Sequence, residues 1–384
     1  MARICLVAHF AYGAMTGGQG GHVGGVERQT SLLARWLAGR GHEVSLATWD
    51  EGSPADEHVD GVRIIKICRR DAGLPGLRFF HPRWTGLCRA LSAAGADIYY
   101  QNCAEYVTGQ VALWCRRHGR RFVYSVASEP DCDRRLPKMR TRRERVLYRY
   151  GLRHADRVIV QTEAQRRMLW ADFGVAATRI PMPCPGPSDA EYAAPEPPAG
   201  GGRPVAWVGR IAPVKRMELL LDIAQDLPGT AFELAGPPDA PDAYVRPLLD
   251  RARALPNVTL LGRLSREAMA GLYRRAAALL CTSAYEGLPN TFLEAFSHGV
   301  PVVSTVDPDD IIRTGGLGAT ASTRSDLVGA LGSLLRNPER WRAASTAARR
   351  HYLDHHTLEV IMPNVEGLLL DGTAPAPPTA WTAR

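Results

Sequence analysis

The stretch "AYEGLPNTFLEAFSHGVPVVST", residues 284–305, decides how this chain is read: its pattern predicts a loop, a helix and a buried strand in succession. Pro289 suits the first turn of that helix, where a missing amide proton goes unneeded. The amides from Gly287 through Leu288 to Asn290 and Thr291 can then point at phosphate oxygens. Glu286 stands before the helix and Glu294 inside it, with seven residues between them. Carboxylates repel a bare phosphate, so the pair suits a ligand carrying hydroxyls as well: Glu294 would accept from a ribose diol, Glu286 from a sugar hydroxyl. Taken singly, each glutamate reads equally as a helix-dipole complement or a solvated surface acid.

On both sides of this stretch short apolar runs alternate with amphipathic ones. "RICLVAHF", "EVSLATWD", "ADIYYQN", "RFVYSVAS" and "DRVIVQT" read as strands in the first half; "PVAWVG", "AFELAG", "VTLLG" and "ALLCTS" do so in the second. Strands spaced by helices mean parallel sheets with crossover helices. The helix from about Val26 carries Leu32, Leu33, Trp36 and Leu37 at helical spacing and stops at Gly39 and Gly41. "IPMPCPGPSDAEYAAPEPPAGGGRP" is too rich in Pro and Gly to hold a regular element. The expected division is residues 1–185, a linker at 186–203, residues 204–355, a helix at 356–371 returning to the first domain, and a disordered tail at 372–384.

A 384-residue chain with 45% hydrophobic and 22% charged residues can bury two cores. No run approaches the ~20 apolar residues of a membrane span, and "MARICLVAHF" lacks a signal peptide's pattern, so a cytoplasmic location is expected. The eight cysteines are scattered without metal-ligand spacing; reduced thiols and no metal site are expected. The formal charge of +8 favours acidic partners, and nine Lys/Arg against the single Glu144 fall in residues 134–153. That stretch reads as a solvated helix face or as a contact with the inner membrane surface; no aromatic interleaving or motif points to nucleic acid.

Two further loops bear on chemistry. "GAMTGGQGGHVGGVE" follows the first strand and runs into a helix, a place where backbone amides approach an anion, yet Val23 breaks a G-x-G-x-x-G spacing. "WVGRIAPVKR" ends a strand at Gly209 and sets Arg210 and Lys215 five positions apart; together they could hold a diphosphate, or be solvated surface charges.

"GGVERQTSLLARWLAGRGHEVSLAT", "VGRIAPVKR" and "LLGRLSREAMAGLYRRAAALLCTSAYEGLPNTFLEAFSHGVPVVS" together resemble family 4 of the glycosyltransferases, retaining enzymes of the GT-B fold. The resemblance implies two Rossmann-like doubly wound domains facing across a cleft, the donor on the C-terminal domain, the acceptor mainly on the N-terminal one, and no obligatory metal. The donor it implies is a nucleotide-diphosphate-sugar, a UDP-sugar being favoured. It implies Arg210 and Lys215 as the diphosphate clamp, Glu294 as the ribose ligand, Glu286 as the donor-sugar contact, Arg263 and Leu264 at the base, and Gly24 and Gly25 near the donor phosphate and acceptor. The implied route needs no protein nucleophile: the leaving phosphate takes the acceptor's proton.

After "RFVYSV", where many family members carry a histidine, this chain has Ala127-Ser128-Glu129-Pro130-Asp131. Ser128 and Glu129 are assigned to the acceptor or sugar side, and His9 or His22 is the remaining candidate imidazole. The acceptor is expected to be a hydroxylated glycan, a lipid-linked species or a small natural product. Two rival readings are an NAD(P)-dependent oxidoreductase, from the glycine loop and Asp50, and a non-catalytic binder of nucleotides or polyanions.

Overall fold

The computed structural model describes residues 1–17, 24–52, 57–198 and 202–371; His22 and the 372–384 tail lie outside the described residues. The chain divides into two compact units, Met1–Met182 joined by the segment that begins at Ile361, and Pro183–Val360.

Among the described residues the first unit holds eight strands: β1 Arg3–Val7, β2 Glu43–Thr48, β3 His58–Val59, β4 Val62–Lys66, β5 Ile98–Asn102, β6 Arg121–Ser125, β7 Arg157–Val160 and β8 Thr178–Arg179. Their order is β3-β4-β2-β1-β5-β6-β7-β8, parallel throughout except for β3 against β4. Central strands covered on both faces must be apolar along their length, and Ile4, Cys5, Leu6 and Val7 are at most 1% exposed. The direction of winding reverses between β1 and β5, where ligands of such sheets collect at the strands' carboxyl ends.

The helix Gly25–Gly39 buries Leu33 and Leu37, while Leu32 and Trp36 stay half-buried. Trp36 is where the last helix, Leu358–Leu370, meets the first unit: the indole Nε1 donates to Glu366 at 3.4 Å, and a ring nitrogen of His42 lies 2.9 Å from the same carboxylate. The basic helix Arg142–Arg153 packs on Tyr106–Arg117 backbone to backbone, since a Cβ on Gly109 would lie 2.1 Å from the Leu147 carbonyl oxygen.

Among the described residues the second unit has six strands: β9 Val205–Val208, β10 Phe232–Ala235, β11 Val258–Gly262, β12 Ala278–Cys281, β13 Val302–Ser304 and β14 Gly318–Thr320. All pair in parallel in the order β11-β10-β9-β12-β13-β14, so the reversal falls between β9 and β12. Phe232, Leu280, Val303 and Trp341 fill its core, and the Trp341 indole donates to the Ala277 carbonyl at 2.7 Å. No regular element lies in the described part of residues 183–204. That segment is nonetheless tied down: the Cys184 backbone amide donates to the His356 carbonyl at 2.8 Å, and the Arg349 guanidinium lies 4.1 Å over the Tyr192 ring. All eight cysteines are free. Among the described residues no helix is long and apolar enough to cross a membrane.

Candidate active site

The carboxyl ends of β9 and β12 hold most of the residues singled out by sequence. β9 leads into Gly209, and the chain passes so close to the end of β10 that a Cβ on Gly236, at φ +145°, would sit 1.8 Å from the Gly209 carbonyl oxygen. Arg210 follows, ion-paired with Asp239 on the neighbouring loop. A 3₁₀ turn, Pro213–Lys215, then aims Lys215 at the loop after β12, where its ammonium pairs with Glu286. The two side chains are 21% and 17% exposed, so solvent screens this pair less than it does the half-exposed Arg210–Asp239 pair.

Three residues that sequence reading passed over lock this junction. Thr282 donates its hydroxyl to the Lys215 carbonyl at 2.7 Å and accepts from the Trp207 indole at 3.0 Å. Arg216 adopts φ 47°, ψ 56°, a left-handed conformation that costs a side-chain-bearing residue free energy, and its Nε donates to the Thr282 carbonyl at 2.6 Å. Nothing in the sequence signals a left-handed arginine; the hydrogen bond to the neighbouring loop holds it there. Burial, then the nearby Glu286, raises the Cys281 thiol above its ordinary range, which keeps it protonated and unsuited to nucleophilic attack.

The helix of the opening stretch spans Asn290–Ser297. Pro289 falls at the N-cap with an extended ψ of 128°, not in the first turn as its sequence position predicts; its carbonyl accepts from Phe292 at 3.0 Å, so the turn begins one residue later. Gly287, Leu288 and Pro289 are buried, and Asn290 and Thr291 are half-buried at the helix start. Glu294 is 9% exposed and accepts a hydrogen bond from the buried Tyr273 hydroxyl at 2.8 Å. It is therefore not a solvated surface acid. Tyr273 itself carries no recognisable signal in the sequence, since a tyrosine on an amphipathic helix reads as core. Arg263 and Leu264 follow β11 on the same carboxyl edge of the sheet, two strands from β9, with Arg263 exposed.

In the first unit Gly24 caps the helix Gly25–Gly39 and donates its amide to Glu27 at 3.0 Å. The loop after β6 is organised by Asp131, 1% exposed, which accepts from the Ala127 and Ser128 amides at 3.2 and 3.1 Å and from the Ser128 hydroxyl at 3.0 Å. Lys138 completes the cluster on Ser128 and Asp131, so the Ser128 hydroxyl is engaged within its own loop; Glu129 lies beside it in the same short turn. His9 is buried, stacked 4.1 Å from Trp49, with Nδ1 3.4 Å from Glu105 at the end of β5. Part of the 134–153 charge is spent internally: Arg135 pairs with Asp133, Arg149 donates to the Arg134 carbonyl at 2.8 Å, and Arg143 lies 3.6 Å over the Phe79 ring.

Two doubly wound units of this strand order define the GT-B class of α/β proteins. The chain matches sucrose-phosphate synthase from Thermosynechococcus elongatus with TM-score 0.76 and 20% identity over 96% of this chain and 98% of that one. It matches HepE of Anabaena, solved in complex with UDP and glucose, with TM-score 0.74 and 17% identity over 96% and 99%. At the level of sequence, residues 24–185 match the glycosyl transferase 4-like domain and residues 202–337 the glycosyl transferases group 1 domain; the chain belongs to family 4 of the glycosyltransferases. It is 32% identical over 249 residues to D-inositol 3-phosphate glycosyltransferase of Mycobacterium tuberculosis, covering 59% of this chain and 50% of that protein. The Mycolicibacterium smegmatis protein of the same name is 34% identical over 167 residues, 39% of this chain and 37% of its own. The chain thus spans half or less of the length of these curated relatives.

Proposed function

We propose that the protein is a retaining glycosyltransferase that moves a sugar from a nucleotide-diphosphate-sugar, with UDP as the favoured nucleotide, to a hydroxyl of its acceptor. The observation that carries this reading is the Lys215–Glu286 pair at the β9/β12 reversal, beside the start of the helix that holds the buried Glu294. A cation and first-turn amides receive a diphosphate there; Arg210 exchanges Asp239 for the same group. Glu294 takes the ribose, Glu286 a hydroxyl of the donor sugar, and Arg263 with Leu264 the base. The amides of Gly287, Leu288, Asn290 and Thr291 complete the anion site. A UDP complex of HepE, alike in fold, supports the choice of nucleotide.

Catalysis then rests on stabilising the leaving diphosphate with fixed charges and dipoles, the acceptor's proton passing to the leaving phosphate oxygen. The acceptor belongs to the first unit, near Gly24, Gly25, Ser128 and Glu129. It is a glycan, a lipid-linked species or a small molecule, and the enzyme works in the cytoplasm. Val146, 64% exposed on the helix Arg142–Arg153, adds an apolar point to a basic face and favours contact with an anionic membrane surface. Thermal stabilisation and free-nucleotide release across a panel of nucleotide-sugars, with NAD(P)H as the rival ligand, test the reading. Stabilisation by NAD(P)H alone overturns it.

A further inference from the structure

A cavity of about 590 Å³ opens in the first unit where the carboxyl ends of β2 and β4 meet the segment before the helix Thr85–Ala94. Its volume lies within the range of small-molecule sites. Arg69, Arg70, Arg78 and Arg83 line it, together with Asp50, Glu51 and Asp71. None of these residues belongs to the proposed donor site of the second unit.

The charges are not mutually satisfied. Arg69 pairs with Asp71 at 3.3 Å, and Asp50 lies 3.7 Å from Lys66. Arg70, Arg78 and Arg83 have no carboxylate partner among the described residues. Arg70 instead lies 5.1 Å over the Phe10 ring and Arg83 5.8 Å over Trp49, while Arg83 also donates to the Arg70 carbonyl at 2.8 Å. The Arg83 Nε is buried with no acceptor among the described residues. Two of the three guanidinium groups are thus held over aromatic faces before any ligand arrives, which lowers the entropy lost on binding. With Lys66 included, five cations stand against three carboxylates, a surplus of two. A phosphate monoester carries about −1.5 to −2 at neutral pH and offers three acceptor oxygens. A single carboxylate would leave the surplus half-neutralised. Trp49 carries Arg83 on its ring and also stacks on His9 at the end of β1, so the cavity lies next to the β1/β5 reversal, where this sheet's own ligand is expected.

We infer that this cavity holds a phosphate group borne by the acceptor, gripped by Arg70, Arg78 and Arg83. The anion site stands on its own arginines; only its assignment to the acceptor rests on the glycosyl-transfer reading.

The test titrates the full chain with inorganic phosphate and with glycerol 3-phosphate, followed by calorimetry, in saturating UDP so that the proposed donor site is filled. Arg70→Ala and Arg78→Ala change exposed side chains that carry no hydrogen bond among the described residues, so folding is preserved. Each is expected to raise the Kd for phosphate about tenfold or more while leaving UDP affinity as it was. Vesicles containing phosphatidic acid, compared with phosphatidylcholine alone, distinguish the source: retention that Arg78→Glu abolishes assigns the phosphate to a lipid headgroup, and retention unaffected by it with Arg-dependent glycerol 3-phosphate binding assigns it to a soluble acceptor. Equal phosphate affinity in wild type and both alanine variants, or no binding of either phosphate source by the wild type, overturns the inference. Arg-dependent phosphate binding in a protein that ignores UDP would leave the cavity standing and remove the donor reading.

Discussion

Replacing Lys215 by alanine removes the one ammonium that the second unit presents at the β9/β12 reversal in contact with Glu286. Unit charges about 4 Å apart interact by about 4 kcal/mol at the effective dielectric suited to a partly buried site. Lys215 and Glu286 are each about four-fifths buried, so that value needs little discount. Charge that develops on the leaving diphosphate meets the same ammonium, and losing it should lower kcat by about 10²- to 10³-fold, or roughly 2.7–4 kcal/mol of barrier. A second effect is structural. Glu286 is left without its ion-pair partner, at a cost of about 1–3 kcal/mol in stability. Nucleotide release from the preferred donor measures the first effect, and thermal melting with and without UDP measures the second. Lys215→Arg keeps the charge and should recover most of the UDP affinity but less of kcat, since a planar fork replaces a point charge. If Lys215→Ala melts near the wild type, binds UDP equally well and turns over within threefold of it, the diphosphate does not sit on this pair and the assignment fails.

Tyr273→Phe removes the hydrogen bond to Glu294 and is expected to cost about 1.5–3 kcal/mol in stability and to weaken UDP binding, both read by calorimetry; unchanged UDP affinity would separate Glu294 from the ribose. Asp131→Asn disrupts the cluster that orders residues 127–131 and should lower the melting temperature by several degrees, with donor binding to the second unit unaltered. Burial, and next the neighbouring His355, hold the His351 imidazole at about 4. The unfolded chain therefore binds the extra proton first: stability is full above about pH 6.5 and falls as pH drops toward about 4, and His351→Asn should flatten melting temperature across that window. Glu366→Ala breaks the contacts of the last helix with Trp36 and His42, and faster hydrogen exchange in residues 358–370 than in the wild type is the expected result.

Much of this was legible in the residue order. Alternation of apolar runs with amphipathic ones marks strands and helices because each periodicity is set by a few neighbouring residues, and the strands read from sequence are all present as members of the two sheets. The helix of residues 290–297, with Glu286 before it and Glu294 inside it, was readable for the same reason. Contacts between distant residues were not. Lys215 and Glu286 are 71 positions apart and touch because β12 is placed against β9, a pairing that strand order alone decides. The left-handed Arg216 is held by the carbonyl of Thr282, 66 residues away, and the burial of Glu294 depends on a tyrosine 21 residues before it. Pro289 moved to the cap because the loop around it is packed, a constraint invisible to local preference.

The chain's periodicity fixed the class of architecture, and its loops supplied the charged groups. Tertiary structure alone decided which of those charges face each other. Arg69, Arg70, Arg78 and Arg83 belong to none of the motifs read in the sequence; the ends of β2 and β4 bring them around one cavity. The reason is physical: side-chain chemistry is local, whereas the electrostatic surplus of a site is a sum over neighbours that only folding assembles.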